Sequence, residues 1–223
     1  KTFLLVKLNR FIIVVLNSDN QILYKKVSSS VNFFSFEILN DFLNQNIFEI
    51  EKNLKEFVNS IFLIIDHAEL HSVKLSIKDK TENILLKINS INSLLSEAKN
   101  QCNNTLKDSD IIHMKIDEFK IDNVSYKILP NQTTCKNFSI DVSFICIPSE
   151  IIKNFEKVFN NYQISLSKTL SYQYLLSLND YKDENICDIA QKILNGFNEN
   201  EVHLSVKSSK KQGFFEKFFN FFN

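Results

Sequence analysis

Residues 3–27 read FLLVKLNRFIIVVLNSDNQILYKKV, and this stretch decides the class of fold. Phe3 to Leu8, Arg10 to Asn17 and Gln21 to Val27 run apolar or alternate, and they are rich in the β-branched residues that suit pleated, buried backbone. Ser18-Asp19-Asn20 supplies the short polar side chains of a turn between the second and third runs. The opening therefore reads as a meander of strands.

Working outward, the apolar period lengthens. Phe36 to Leu43, and then Ile47 to Ile61 through Ile47, Ile50, Leu54, Phe57, Val58 and Ile61, have helical spacing, with Asn46 placed to cap the second part. Ile61 to Asp66 and Ser72 to Lys78 return to strand, joined by His67-Ala68-Glu69-Leu70-His71. Strand, helix, strand and strand thus follow one another between Gln21 and Lys78. Ile84 to Ile88 reads as a short strand and Ile91 to Cys102 as a helix carrying Leu94, Leu95 and Ala98. Asp110 to Ile121 alternates Ile112, Met114 and Ile116 with His113, Lys115 and Asp117, the pattern of a half-exposed strand. The turn Asp122-Asn123, a strand from Val124 to Leu129, a loop from Pro130 to Lys136 and a strand from Phe138 to Ile147 follow. A helix at 149–161 is signalled by Ser149 and Glu150 as its cap and by Ile151, Ile152, Phe155, Val158 and Phe159. The chain then reads as strand at Tyr162–Leu166, helix at Lys168–Leu178, helix at Glu184–Leu194 closed by Gly196, and strand at Val202–Val206.

Composition narrows the functions. The 223 residues are 44% hydrophobic and 23% charged with zero net charge, a globular balance without the basic footprint of a nucleic-acid binder. Only Gly196 and Gly213 are glycine, so a phosphate-cradling loop, which needs glycine for tight turns and close backbone approach, is not expected. Cys102, Cys135, Cys146 and Cys187 form no Cys-x-x-Cys pair, which points to buried reduced thiols in a cytosolic protein rather than to zinc or disulfides. No secretory signal is read ahead of the first strand, and the chain begins at Lys1 without an initiator Met.

The last eleven residues, GFFEKFFNFFN from Gly213 to Asn223, stand apart. On a helix, Phe214, Phe215, Phe218, Phe219, Phe221 and Phe222 fall on one face, with Glu216, Lys217 and Asn220 opposite. The basic stretch 207–212 precedes them and contains Lys210 and Lys211. Half-immersed rings at roughly 1.5–3 kcal/mol per fully buried Phe describe a reversible membrane foot. A span would need about 20 apolar residues. The expected membrane-binding residues are therefore those six phenylalanines with Lys210, Lys211 and Lys217, facing anionic lipid on the inner face of the cell membrane. The alternative is a soluble interaction module whose phenylalanine helix enters a partner's groove.

From Asp108 to Leu178 the signals come in a specific order. Ser109-Asp110-Ile111-Ile112-His113 leads into a strand, followed by Phe119-Lys120-Ile121-Asp122, the Pro130 loop, Ile140-Asp141-Val142-Ser143-Phe144-Ile145, a helix, and Tyr162-Gln163-Ile164-Ser165 before another helix. This order resembles FtsA, the actin-like division protein of bacteria, and the tail is similar to that family's membrane-targeting helix. The resemblance implies an α+β fold: an actin-like first-half remnant over residues 1–206, a strand-helix-strand-strand insertion domain at approximately 28–110, a linker at 207–212 and an amphipathic helix at 213–223. It also implies a non-enzymatic, peripheral scaffold of the division machinery, bound to other division proteins and to copies of itself. Asn9-Arg10 stands where the family has a glycine-containing phosphate loop, and the second actin-like half has no counterpart after Asn179. No cofactor, nucleotide or nucleic acid is therefore expected, and an actin-like ATPase with an eroded site ranks last among the readings.

Other chemistry is weaker. His67 and His71 lie between strands rather than on a zinc-binding helix face. His113 and His203 read as surface or satisfied structural residues. Glu49 with Glu51 and Asp117 with Glu118 are adjacent rather than convergent and read as solvent-facing. Cys146 sits in an apolar strand that suppresses thiolate formation. Tyr162, Tyr172 and Tyr174 read as core rather than as a base-stacking platform.

Overall fold

The protein is described here by a computed structural model that covers residues 1–29, 34–79, 84–85, 88–130, 134–178, 186–198 and 200–202. Its strands are β1 (Thr2–Lys7), β2 (Arg10–Leu16), β3 (Ile22–Val27), β4 (Ser60–Ile65), β5 (His71–Lys78), β6 (Ile84–Leu85), β7 (Ser109–Ile121), β8 (Val124–Tyr126), β9 (Thr134–Cys135), β10 (Phe138–Pro148) and β11 (Ser165–Ser171). The helices are α1 (Phe36–Leu54), α2 (Ile88–Thr105), α3 (Ser149–Asn160), α4 (Tyr172–Ser177) and α5 (Ile186–Leu194).

The opening meander forms as read. β1, β2 and β3 pair antiparallel, and β4 and then β11 add in parallel on the other side of β1, giving a five-stranded sheet in the order β11-β4-β1-β2-β3. The turn between β2 and β3 is held by Asn17, whose Oδ1 accepts the backbone N–H groups of Asp19 and Gln21, while Asn20 takes a φ of 65°. β1, β2 and β4 are apolar at successive positions because both faces of the sheet are covered. On one face Leu4, Val6, Phe11 and Ile13 meet α1 and α3, whose Leu39, Leu43, Phe155 and Phe159 are fully buried. On the other, Phe3, Leu5, Val14 and Ile64 meet Leu175 of α4 and Ile189, Ala190 and Ile193 of α5.

α1 is one helix, not two. Ser35 caps it by accepting the Ile38 N–H at 3.2 Å, and Lys55 ends it at a φ of 55°. Asn46 is therefore no cap: it lies buried within the helix, its amide donating to Phe42 O and its Oδ1 accepting the Tyr24 hydroxyl. Phe57, counted on the apolar face by spacing, lies past the helix end and is 81% exposed. α3 opens without a side-chain cap, because the Ser149 hydroxyl donates to Asp110 Oδ1 instead.

A second, antiparallel sheet in the order β5-β10-β7-β8 is inserted between β4 and α3. One face packs against α2 through Leu94, Leu95, Ala98 and Cys102; the core also takes in Phe138, Ile140, Val142 and Phe144. β6 and β9 form a separate two-stranded ladder. An α+β layout with an inserted strand-helix-strand-strand sheet is thus present, but its residues differ from those read at approximately 28–110. β3, α1 and β4 belong to the first sheet, where the apolar β4 has both faces covered, and the insertion is built from β5, α2, β7 and β10. Near the end, the strand read at Tyr162–Leu166 runs instead from Ser165 to Ser171, because Thr169, Leu170 and Ser171 stay buried in parallel register with β4. The helix read from Lys168 accordingly starts at Tyr172, capped by Ser171. α5 is closed by Gly196 at φ 82°, with Phe197 N–H donating to Lys192 O. Glu201 forms an isolated bridge with Lys115; of the strand read at Val202–Val206, Val202 is described and is not in a strand, and 203–206 lie outside the described residues.

Phe155 is fully buried amid the rings of Phe34, Phe36 and Phe159. Phe155→Ala is expected to lower unfolding free energy by about 3–5 kcal/mol. Phe48→Ala, at a side chain 70% exposed, is expected to change it by less than about 0.5 kcal/mol. Urea denaturation of the two variants checks the assigned faces of α3 and α1.

Candidate functional site

Two places concentrate chemistry-bearing side chains. The first is the edge where the parallel strands β1, β4 and β11 end, the usual position for a ligand crevice in an open sheet with covered faces. Lys7 and Arg10 pair across the two-residue Leu8-Asn9 turn, and no residue of that turn has positive φ. Lys7 Nζ sits 3.7 Å from the Tyr172 ring centroid, a cation–π contact that ties the end of β1 to α4. Asp66 donates its N–H to Val6 O, and its Oδ1 accepts from Gln173 Nε2 at 3.0 Å. Beside these groups lies a cleft of about 480 Å³ lined by Val6, Lys7, Leu8, Phe34, Asp66, His67 and Ala68. Leu8, 72% exposed, stands at the turn where the sequence resemblance places a phosphate loop. The lining offers apolar contact rather than an anion cradle.

The second place is buried. His113 on β7 faces Glu201 with Nδ1 2.9 Å from Oε1, and its Nε2 accepts the Ser171 backbone N–H at 2.9 Å. Because Nε2 accepts, the ring proton lies on Nδ1 and is donated to the carboxylate. The Tyr174 hydroxyl donates to Glu201 Oε2 at 3.1 Å, Asn198 Nδ2 donates to that hydroxyl at 2.8 Å, and Lys168 Nζ lies 3.9 Å from Oε1. Burial by itself pushes the Glu201 pKa up, but the hydrogen bond from His113, with the Lys168 charge and the Tyr174 hydroxyl, holds it below the ordinary glutamate value. Burial lowers the Lys168 pKa against the raising effect of Glu201, and burial followed by the Glu201 charge raises that of Tyr174.

Ser171, His113 and Glu201 have the composition of a hydrolytic triad without its geometry. The Ser171 hydroxyl caps α4 by accepting the Tyr174 N–H, and the histidine nitrogen that would take its proton is occupied by a backbone amide. All three residues are buried. The cluster is a clasp: it joins β7 of the inserted sheet, β11 and α4 of the first sheet, and residues 198 and 200–202. Sequence reading left His113 as a surface or satisfied structural residue on the polar side of a half-exposed strand; it is buried and satisfied, and its partners Glu201, 88 residues away, and Ser171, 58 residues away, together with Lys168, were missed because no spacing rule connects them.

The other candidates resolve individually. Nδ1 of His67 accepts the Glu69 N–H, and Nδ1 of His71 donates to Glu69 O, so both rings serve the β4–β5 turn. Glu49 and Glu51 are not simply solvent-facing: they accept from the Tyr24 hydroxyl and the Val58 N–H. Asp117 and Glu118 pair with Lys115 and Lys120 on the outer face of the inserted sheet. Burial pushes the Cys146 thiol up to about 12. Tyr162, Tyr172 and Tyr174 do not gather: Tyr162 donates to Asn40 O beside α1, Tyr172 lies under Lys7, and Tyr174 belongs to the clasp. Phe214, Phe215, Phe218, Phe219, Phe221, Phe222, Lys210, Lys211 and Lys217, like His203 and the linker, lie outside the described residues.

No protein-family model matches this chain, and no curated protein matches it. Among solved structures it is similar to one described as the PilM-PilN type IV pilus biogenesis complex, at 8% identity and a TM-score of 0.47, over 79% of this chain and 49% of that one. It is also similar to the cytoplasmic domain of EpsL, an inner membrane component of the type II secretion system of Vibrio cholerae, at 12% identity and a TM-score of 0.35, over 78% of this chain and 57% of that one. The chain spans about half the length of the solved chains it matches.

Glu201→Ala leaves His113 and the Tyr174 hydroxyl buried without their acceptor, and is expected to cost about 3 kcal/mol or more. In the wild type the carboxylate's contribution is complete above the ordinary value of 4.5 and is lost as pH falls through the lowered folded value. Urea melts from pH 7 down to pH 3 are expected to show the gap between wild type and Glu201→Ala narrowing only below about pH 4.5.

Proposed function

We infer that this chain is a non-enzymatic scaffold that works against a membrane surface, with its two-sheet body recruiting proteins and its end segment holding lipid. The observation that carries this reading is the clasp. Glu201 fixes residues 200–202 to both sheets, so the segment that begins at 203 and contains the six phenylalanines is tethered at a defined point on a folded body.

Six rings half immersed supply on the order of 5–9 kcal/mol before ordering entropy is subtracted. Each lysine near an anionic leaflet adds about 1 kcal/mol. One such foot releases readily; several feet on associated bodies hold strongly, because each further foot binds intramolecularly. Among the described residues, no helix is long and apolar enough to cross a membrane.

The carboxyl-edge cleft supports a binding role over catalysis. Its turn presents Leu8, and the titratable groups beside it are engaged in structural contacts: Lys7 over Tyr172, Asp66 with Gln173, His67 with Glu69. The bacterial division machinery is the specific assembly that the sequence resemblance suggests, with a cytoplasmic, peripheral location and with homo-oligomers and other division proteins as partners.

Vesicle flotation tests the reading. The intact chain is expected to float with phosphatidylcholine vesicles containing phosphatidylglycerol, and more weakly with phosphatidylcholine alone. A chain ending at Gln212 is expected to stay at the bottom, having lost on the order of 5 kcal/mol of lipid affinity. Equal flotation of the two chains removes the membrane foot; a lipid-indifferent, stoichiometric protein complex would favour the groove-binding alternative.

A further inference from the structure

The cleft beside the β1–β2 turn is open on a ring cluster. Phe34, in its wall, is T-shaped against Phe36 at 4.9 Å and against Phe11 at 5.9 Å, and Phe36 is T-shaped against Phe155 at 5.1 Å. An added aromatic ring would extend this edge-to-face arrangement, the preferred geometry of aromatic pairs. Leu8 and Ala68, both exposed, supply the apolar approach, and Asp66 contributes a carboxylate to the lining. The volume of about 480 Å³ lies in the range that takes a compact apolar group.

The direction in which the chain leaves the clasp matters here. Ile116 N–H donates to Asn200 O and Val202 N–H donates to Met114 O, so residues 200–202 run antiparallel to β7 and head toward Ser109. At that end of β7, Ile112 belongs to the same core as Val6, and Phe34 packs on that core. The chain thus departs toward the core at whose rim the cleft opens. Residues 203–213 separate Val202 from the first of the six phenylalanines, and that length reaches about 36 Å when extended. Lys217, between the ring pairs, and Lys210 and Lys211 ahead of them are opposite in charge to the Asp66 carboxylate of the lining, whose lysine, Lys7, is held over the Tyr172 ring.

We propose that, away from a membrane, the phenylalanine face of residues 214–222 docks in this cleft of its own chain, so that cleft and lipid compete for the same rings. The proposal rests on the membrane-foot reading for its second half. The tether makes docking intramolecular, at an effective concentration of roughly millimolar, so a weak contact suffices to hold the foot. If docking leaves about one molecule in ten with a free foot, apparent lipid affinity falls about tenfold. A surface dense in anionic lipid then draws the foot out, and leaves the cleft open at the place where the scaffold is needed.

Two measurements on the full chain test this. The four native cysteines are all buried, so Ala68→Cys combined with Glu216→Cys places an accessible thiol on the cleft rim and another on the polar side of the tail. With copper–phenanthroline as oxidant, an intramolecular disulfide is expected in solution and is expected to be suppressed by phosphatidylglycerol vesicles. No disulfide, or only a disulfide between two chains, overturns docking in cis; a disulfide that the vesicles leave unchanged overturns the competition. Leu8→Asn, at an exposed position that folding does not require, removes the apolar contact without changing the charge of the rim and is expected to raise vesicle affinity about tenfold. Unchanged affinity of Leu8→Asn with normal flotation of the wild type overturns the docking alone. Failure of the wild type to float overturns the membrane foot instead.

Discussion

Strands β1 and β4 carry apolar side chains toward both faces of their sheet, and much of the architecture answers that constraint. Phe3 and Leu5 point to one side and Leu4 and Val6 to the other, all at 4% exposure or less. Each such side chain left in water would cost about 1.5–3 kcal/mol. Two layers of helix are therefore required. α1 and α3 supply one, α4 and α5 the other, and the chain must cross from the meander through α1 before β4 can lie parallel to β1. The inserted sheet solves a simpler problem, with one face covered by α2 and the other left to Lys115, Asp117, Lys120 and Asp141, which pair among themselves or with nearby serines.

Two modules built on different principles still need a join, and the clasp makes one from polar groups. A buried carboxylate is expensive unless it is paired and hydrogen-bonded. Glu201 accepts from His113 and Tyr174 with Lys168 nearby, so its charge is met from both sheets. Ser171 reinforces the join by donating its backbone N–H to the histidine while its hydroxyl accepts the Tyr174 N–H at the start of α4. The end of the described chain is thereby made part of the body. Whatever follows it acts from a fixed origin.

That origin links structure to the proposed role. A tethered, phenylalanine-sided end can trade between lipid and an apolar cleft because both environments remove the same rings from water. The cleft lies where open sheets with covered faces commonly hold ligands, yet its turn offers leucine in place of glycine and backbone amides. The same position in the fold is thus suited to a side chain rather than to a phosphate.

The sequence by itself determined the local units. The meander, α1, α2, α3, α5 and the alternating β7 and β10 are legible because period and turn chemistry are written in neighbouring residues, as at Asn17–Gln21 and Gly196. Tertiary structure decided what local pattern cannot. β11 extends to Ser171 although Lys168–Leu178 has helix-like spacing, because pairing with β4 buries Thr169, Leu170 and Ser171. Asn46 became an interior residue because Tyr24 of β3 comes within reach of it. β3, α1 and β4 joined the first sheet rather than the insertion, because β4 is buried on both faces only beside β1. The clasp and the cleft were invisible in the sequence for one physical reason: each is assembled from strand ends and segments far apart along the chain, and only the register of the sheets brings them within hydrogen-bonding or van der Waals distance.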